Sequence, residues 1–174
     1  MNPEQPVYQA IYDSWTPQQY GSSNHGHQHL DEILKLTPQS LLDVGCGYNH
    51  FSNHLKELGI KSEGIDFACS EADKIVDILN LPYEDKEWEW ITAWDVMEHL
   101  RLEQVDLALQ EMSRVSKYFA FTISYELAST IPPHPFQGRN LHQTIWEPEK
   151  WRKEIEKYAK IKYYSLGFWR GEWN

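Results

Sequence analysis

Asp95, Glu98 and His99 stand close together in the stretch AWDVMEHL, where the apolar run WITAW gives way to polar residues. Side chains of these types can do three kinds of work there. The carboxylates suit the start of a helix, where the backbone dipole favours negative charge, with Asp95 holding a neighbouring loop. His99 can serve as a general base toward a hydroxyl or an amine, because an imidazole titrates near neutrality. Carboxylates spaced i, i+3 beside a histidine also converge on one side of a helical turn. Asp95, Glu98 and His99 could therefore ligate a metal.

Other polar residues recur at what read as strand ends. LLDVGCGYN carries Gly45 and Gly47, which let the backbone turn tightly and approach a ligand with no Cβ in the way. Asp43 lies in the same turn and can accept hydrogen bonds from a cationic amine or orient the loop. Asn49 and His50 stand where a dinucleotide-binding GxGxxG would have its third glycine. His50 can meet a substrate or cap the following helix, and is a candidate catalytic residue beside His99. The segment GIDF ends in Asp66 and Phe67, with the acid about 20 residues beyond the glycines. At that spacing an acid can take both hydroxyls of a ribose. Asp77 and Ile78 precede LNLP; an acid beside an apolar residue can bind an exocyclic amine and cover an adenine face.

The elements that must position these residues follow from periodicity. SLLDVG, IKSEGID, KIVDI, WEWITAWD and YFAFTISY read as strands, the last apolar enough to be buried on both faces. Helical stripes run over His29–Leu36, over Phe51, Leu55 and Leu58, and over Leu102, Val105, Leu109 and Met112. Pro148 suits the first turn of a helix carrying Trp151, Ile155 and Tyr158, and KIKYYS with FWRGEW makes a closing hairpin. Alternating strands and helices predict an α/β fold: a doubly wound, mostly parallel, Rossmann-like sheet of six or seven strands with helices on both faces. Ligands of such sheets bind beyond the carboxyl ends of the strands. Residues 1–174 are expected to form one domain, with 1–24 an arm or lid and 126–145 a loop on the substrate side.

The run LLDVGCGYNHFSNHL…GIDF…VDILNLPYEDKEWEWITAWDVMEHL resembles the class I S-adenosylmethionine-dependent methyltransferases, especially their small-molecule group. The resemblance covers roughly residues 40–125. It implies Asp43 and Gly45 near the methionine moiety of S-adenosylmethionine, Asp66 on the ribose hydroxyls, and Asp77 and Ile78 at the adenine, with Gly47 and Phe67 also at the cofactor. It also implies Trp94 and Asp95 lining the floor and Tyr20 as a lid residue. The expected reaction moves a methyl group to an oxygen or nitrogen of a small molecule, yielding S-adenosylhomocysteine. The alternative is a non-catalytic module that binds either molecule for a partner protein. The D-x-x-E-H spacing is similar to the E-x-x-E-H metal site of some ubiquinone-pathway and small-RNA methyltransferases. Asp95 is shorter than the glutamate there, and a fourth ligand would have to come from His134 or His142, so no metal is the expectation.

The remaining sequence sets bounds. The 174 residues are 41% hydrophobic and carry a formal net charge of −10, which opposes nonspecific binding to nucleic acid. The Lys/Arg–Glu alternation over Lys150–Lys162 reads as a solvated helix face. No apolar run approaches the roughly 20 residues that span a membrane, and the start lacks the pattern of a signal peptide. Cys46 and Cys69 suggest no disulfide framework, so a reducing cytoplasm is the expected setting. His25, His27 and His29 look like a metal tract but lack a second ligand cluster, and read as part of a polar arm. Trp146 and Trp151 flank the late loop and could line an aromatic acceptor pocket.

Overall fold

Apolar runs over residues 40–44 and 88–94 pair side by side because each is long enough to satisfy its backbone in a ladder and apolar enough to be covered, and residues 61–66 join them through the buried Gly64–Asp66 end. The computed structural model describes residues 2–15, 25–128 and 138–174. In chain order its elements are α1 (Gln5–Ser14), α2 (His25–Gln28), α3 (Leu30–Leu34), β1 (Ser40–Val44), α4 (His50–Glu57), β2 (Lys61–Asp66), β3 (Lys74–Ile75) and β4 (Trp88–Trp94). A 3₁₀ turn (Met97–His99) leads to α5 (Leu102–Val115), β5 (Ser116–Thr122), α6 (Pro148–Ile155), β6 (Ala159–Ser165) and β7 (Phe168–Trp173).

The seven strands form one sheet in the order β3-β2-β1-β4-β5-β7-β6. Pairings from β3 through β5 are parallel, with Val44 opposite Ile65 on one side and Ala93 on the other. β7 runs antiparallel to β5 and to β6, so the predicted closing hairpin is present. One face is covered by α5 and α6, where Leu109, Met112 and Trp151 pack against Leu42, Ile91 and Phe119. The other is covered by α3 and α4, where Ile33, Phe51 and Leu55 pack against Leu41, Trp90 and Ala120. Helices therefore lie on both faces, as the alternation predicts. No helix among the described residues is long and apolar enough to cross a membrane.

Three expectations change. The arm carries a helix: Val7, Tyr8 and Ile11 of α1 are buried and cluster with Trp15, Ala68 and Leu141. The third strand shrinks to Lys74–Ile75, both exposed at the sheet edge, so little apolar surface rewards a longer ladder. The helix face expected over Lys150–Lys162 ends at Ile155, because the chain is drawn into β6 by pairing with β7 from Ala159 onward.

Candidate functional site

Parallel strands leave unpaired backbone and loop residues at their carboxyl ends. Here the ends of β1, β2 and β4 and the loop after β3 open into a cavity of about 600 Å³, part of it continuous with solvent. Gly45, Asp66, Phe67, Asp77, Ile78 and Asp95 all line it. Gly45 has φ +67°, and a Cβ there would lie 2.5 Å from Val96 Cγ2, so the turn admits no side chain. Asp95 also takes a left-handed φ, +54°, uncommon for a non-glycine residue. Its N–H is held by the Thr122 carbonyl and hydroxyl, at 3.2 and 2.9 Å.

Asp66 is buried and surrounded by donors. Oδ1 accepts from the N–H groups of Ala68 and Cys69, at 2.8 and 2.9 Å, and Oδ2 from Gly47 N–H and the Tyr12 hydroxyl, both at 3.2 Å. Burial pushes its carboxyl upward, and these four bonds oppose the shift. Asp77 Oδ1 accepts from Leu79 N–H and Oδ2 from the Asn2 amide, both at 3.1 Å. Four carboxylates and no lysine or arginine line the cavity among the described residues. That wall suits hydroxyls, amines and a cation better than a pyrophosphate.

Four predicted residues, Asp43, Gly47, Trp94 and His50, do not line the cavity. Asp43 is buried beneath it, with Oδ1 accepting from the Thr92 hydroxyl at 2.7 Å; burial raises its carboxyl to about 7. Trp94 does not share the floor with Asp95. Side chains alternate along β4, so Trp94 falls on the α4 face, edge-on to Phe51 and stacked with His29 and Phe168. His50 is exposed at the start of α4, its ring over Tyr48, and does not line the cavity. Gly47 acts through its N–H on Asp66. Tyr20 and His134 lie outside the described residues. The histidine tract is divided, with His27 near His54 at 3.3 Å and His29 stacked on Phe168 at 4.1 Å.

The strand end has its own architecture. Glu98 and His99 sit in the 3₁₀ turn before α5 and not at the helix start, so they do not cap α5. Glu98 is fully buried; burial, then the charge of Asp95, pushes its carboxyl up to about 8. His99 lines the cavity and packs edge-on against His142, centroids 4.6 Å apart. Its Nδ1 lies 2.5 Å from the Tyr8 hydroxyl and 3.1 Å from the Leu141 carbonyl. Burial, then His142, lowers its pKa to about 4, against the Leu141 bond and Asp95. The sequence reading expects an imidazole titrating near neutrality; burial holds His99 below that range.

Sequence reasoning missed the contribution of α1. Glu4, Tyr8 and Tyr12 line the cavity, and the apolar spacing of Val7, Ile11 and Trp15 after Pro6 is the signal that would have found the helix.

The family model described as "Methyltransferase domain" matches residues 20–170. Norajmaline N-methyltransferase of Rauvolfia serpentina is 25% identical over an alignment covering 63% of this chain and 47% of that protein. The chain thus spans about half the length of that curated relative. Among solved structures, Burkholderia thailandensis 1,6-didemethyltoxoflavin-N1-methyltransferase, with 1,6-didemethyltoxoflavin and S-adenosylhomocysteine bound, superposes with a TM-score of 0.72 at 11% identity, covering 98% of this chain and 87% of that one. Magnesium protoporphyrin IX methyltransferase from Synechocystis, with S-adenosylmethionine bound, gives 0.65 at 12% identity, covering 99% and 92%. At such identities the likeness is one of fold, and the family model carries the assignment. The loop at Gly45, the acids at the strand ends and the match across most of the sequence agree: the chain belongs to the methyltransferase domain family.

Proposed function

We propose that this chain is a methyltransferase that binds S-adenosylmethionine in the cavity and transfers its methyl group to an oxygen or nitrogen of a small molecule. The observation that carries the reading is the convergence of Gly45, Asp66, Asp77, Ile78 and Asp95 on one cavity at the carboxyl ends of parallel strands. In this reading Asp66 accepts hydrogen bonds from the ribose hydroxyls, and Asp77 and Ile78 meet the adenine. The backbone at Gly45 and the Asp95 carboxylate flank the methionine portion. Bound there, S-adenosylmethionine supplies an electrophilic methyl; the acceptor lone pair bonds to its carbon as the carbon–sulfur bond breaks, the electron pair staying on sulfur. The protein contributes mainly by orientation. In this reading burial makes His99 a poorer base than a free imidazole, and its main service is to shape and hold the wall.

We read residues 1–174 as one domain, with 126–145 on the acceptor side. Two free cysteines, Cys46 and Cys69, fit a reducing cytoplasm. The test is calorimetry of the full chain with S-adenosylhomocysteine and, separately, NAD, followed by transfer of a radiolabelled methyl group to small-molecule extracts. Binding of S-adenosylhomocysteine alone with transfer supports the reading. Binding without transfer to any extract points to a non-catalytic module, and preference for NAD overturns it.

A further inference from the structure

We propose that Glu98, His99 and His142 form a binding site for a divalent transition-metal ion in the wall of the cavity. Each offers one ligand-type atom, and these atoms lie within 4.8 Å of one another. Asp95, which spacing alone offers as a ligand, is not in this cluster, and His142 comes from a segment over forty positions further on.

Proximity is joined by two further observations. The first is the state of the two imidazoles. His99 Nδ1 lies 3.1 Å from the Leu141 carbonyl oxygen, and His142 Nδ1 bonds to the Glu126 carbonyl oxygen. A carbonyl can only accept, so with the hydrogen on each Nδ1, shared at His99 between the Leu141 carbonyl and a Tyr8 hydroxyl that accepts at 2.5 Å, each Nε2 keeps its lone pair. Backbone carbonyls holding the far nitrogen are how metal-ligating histidines are oriented. The second is Glu98, which is fully buried. Its Oε1 accepts from Ser124 N–H at 2.8 Å, while Oε2 is buried with no hydrogen-bond partner among the described residues. A buried carboxyl oxygen without a partner is costly in either protonation state, and a cation supplies what is missing.

The cluster is also pre-assembled. The Glu98 carbonyl accepts from Gln143 and Thr144 N–H, at 2.8 and 2.9 Å, and the Thr144 hydroxyl donates to the Leu100 carbonyl at 2.7 Å. These bonds fasten the segment carrying His142 to the turn carrying Glu98 and His99. Two imidazole nitrogens and one carboxylate oxygen suit Zn²⁺, Co²⁺ or Fe²⁺ better than Mg²⁺ or Ca²⁺, which prefer oxygen shells. Three protein ligands leave coordination positions open. Because His99 also lines the cavity, an ion there can hold an acceptor through an oxygen and make its proton easier to lose. That last role rests on the proposed methyl transfer; metal binding does not.

The test uses the full chain, stripped by chelator and titrated with Co²⁺ alone, followed by visible absorption, with Zn²⁺ uptake measured by elemental analysis. The expected result is one ion per chain, Co²⁺ bands of a low-coordinate nitrogen–oxygen site, and affinity reduced by more than about tenfold in His142→Ala and Glu98→Gln. Should Glu98→Gln fail to fold, His99→Asn takes its place. His27→Ala, remote from the cluster, should leave the bands unchanged. Absence of stoichiometric binding, binding that survives in His142→Ala, or binding lost in His27→Ala would overturn the site. S-adenosylhomocysteine affinity is measured on the same stripped samples. Metal binding without it overturns the cofactor reading alone, and the converse overturns the metal site alone.

Discussion

The Tyr12 hydroxyl donates to Asp66 Oδ2 at 3.2 Å, tying the N-terminal helix to the acid at the end of β2. The same oxygen accepts from Gly47 N–H, so one carboxylate joins the helix, the glycine loop and the cavity. If Asp66 also holds the ribose, Asp66→Ala weakens S-adenosylhomocysteine binding by roughly 1.5–3 kcal/mol, the worth of hydrogen bonds to a charged group. Tyr12→Phe leaves the acid and its three backbone donors, and should cost less than about 1 kcal/mol. Calorimetry on both variants decides; unchanged affinity in Asp66→Ala means that the ribose lies elsewhere.

Glu4 is the second tie. Its buried carboxylate accepts from Arg101 Nη2 at 2.7 Å and from Arg139 Nη2 at 2.7 and 2.6 Å. Both arginines are partly exposed, so solvent screens the pairs. Glu4→Gln should cost about 1–2 kcal/mol of global stability. It should also raise hydrogen exchange in α1 before that in β1 or β4, because α1 covers the cavity from outside the sheet. Uniform exchange change across the sheet would mean that α1 is not a separable cover.

The sheet was readable because its central strands β1, β4 and β5 are short apolar runs bounded by turn residues, and α4, α5 and α6 follow them in turn. The site was readable where one strand end holds a whole feature, as at Gly45, Asp66 and Asp77–Ile78. It was not readable where geometry crosses elements. Trp94 and Asp95 are neighbours in sequence, yet strand alternation separates Trp94 to the α4 face. His142 meets His99 only because backbone bonds from Gln143 and Thr144 to Glu98 bring its segment back. His50, adjacent to the glycine loop, is carried outward by the first turn of α4.

Asp43 gives a pH signature that sequence alone does not. Burial, opposed by the Thr92 hydroxyl and reinforced by Asp66, raises its carboxyl to about 7, against ~3.9 in an unfolded chain. The folded state therefore binds this proton more tightly than the unfolded one. Its contribution to stability is full below about pH 4 and is lost as the pH rises through about 7. Asp43→Asn should remove that loss, flattening the urea-derived stability between pH 4 and 7 and leaving the variant more stable than the native chain at pH 8. The difference is on the order of a few kcal/mol. Parallel pH profiles for the two proteins would show that Asp43 titrates normally.

Gly45 and Val96 offer a test of the glycine loop that separates shape from chemistry. Gly45→Ala places a methyl 2.5 Å from Val96 Cγ2 at φ +67°, a conformation that costs an L-residue roughly 1–2 kcal/mol before any clash. The turn must shift, and both stability and S-adenosylhomocysteine affinity should fall. Val96→Ala alone removes two methyls beside the cavity and should cost about 1 kcal/mol of stability with little loss of affinity. In the double variant the clash is gone while the backbone strain remains. Its stability should then exceed the sum of the two single losses by about 1 kcal/mol or more, the coupling expected of residues in contact. Urea unfolding of all four proteins measures this coupling, and calorimetry follows the ligand. Additive losses would mean that the loop yields without Val96, and that Gly45 serves only the turn.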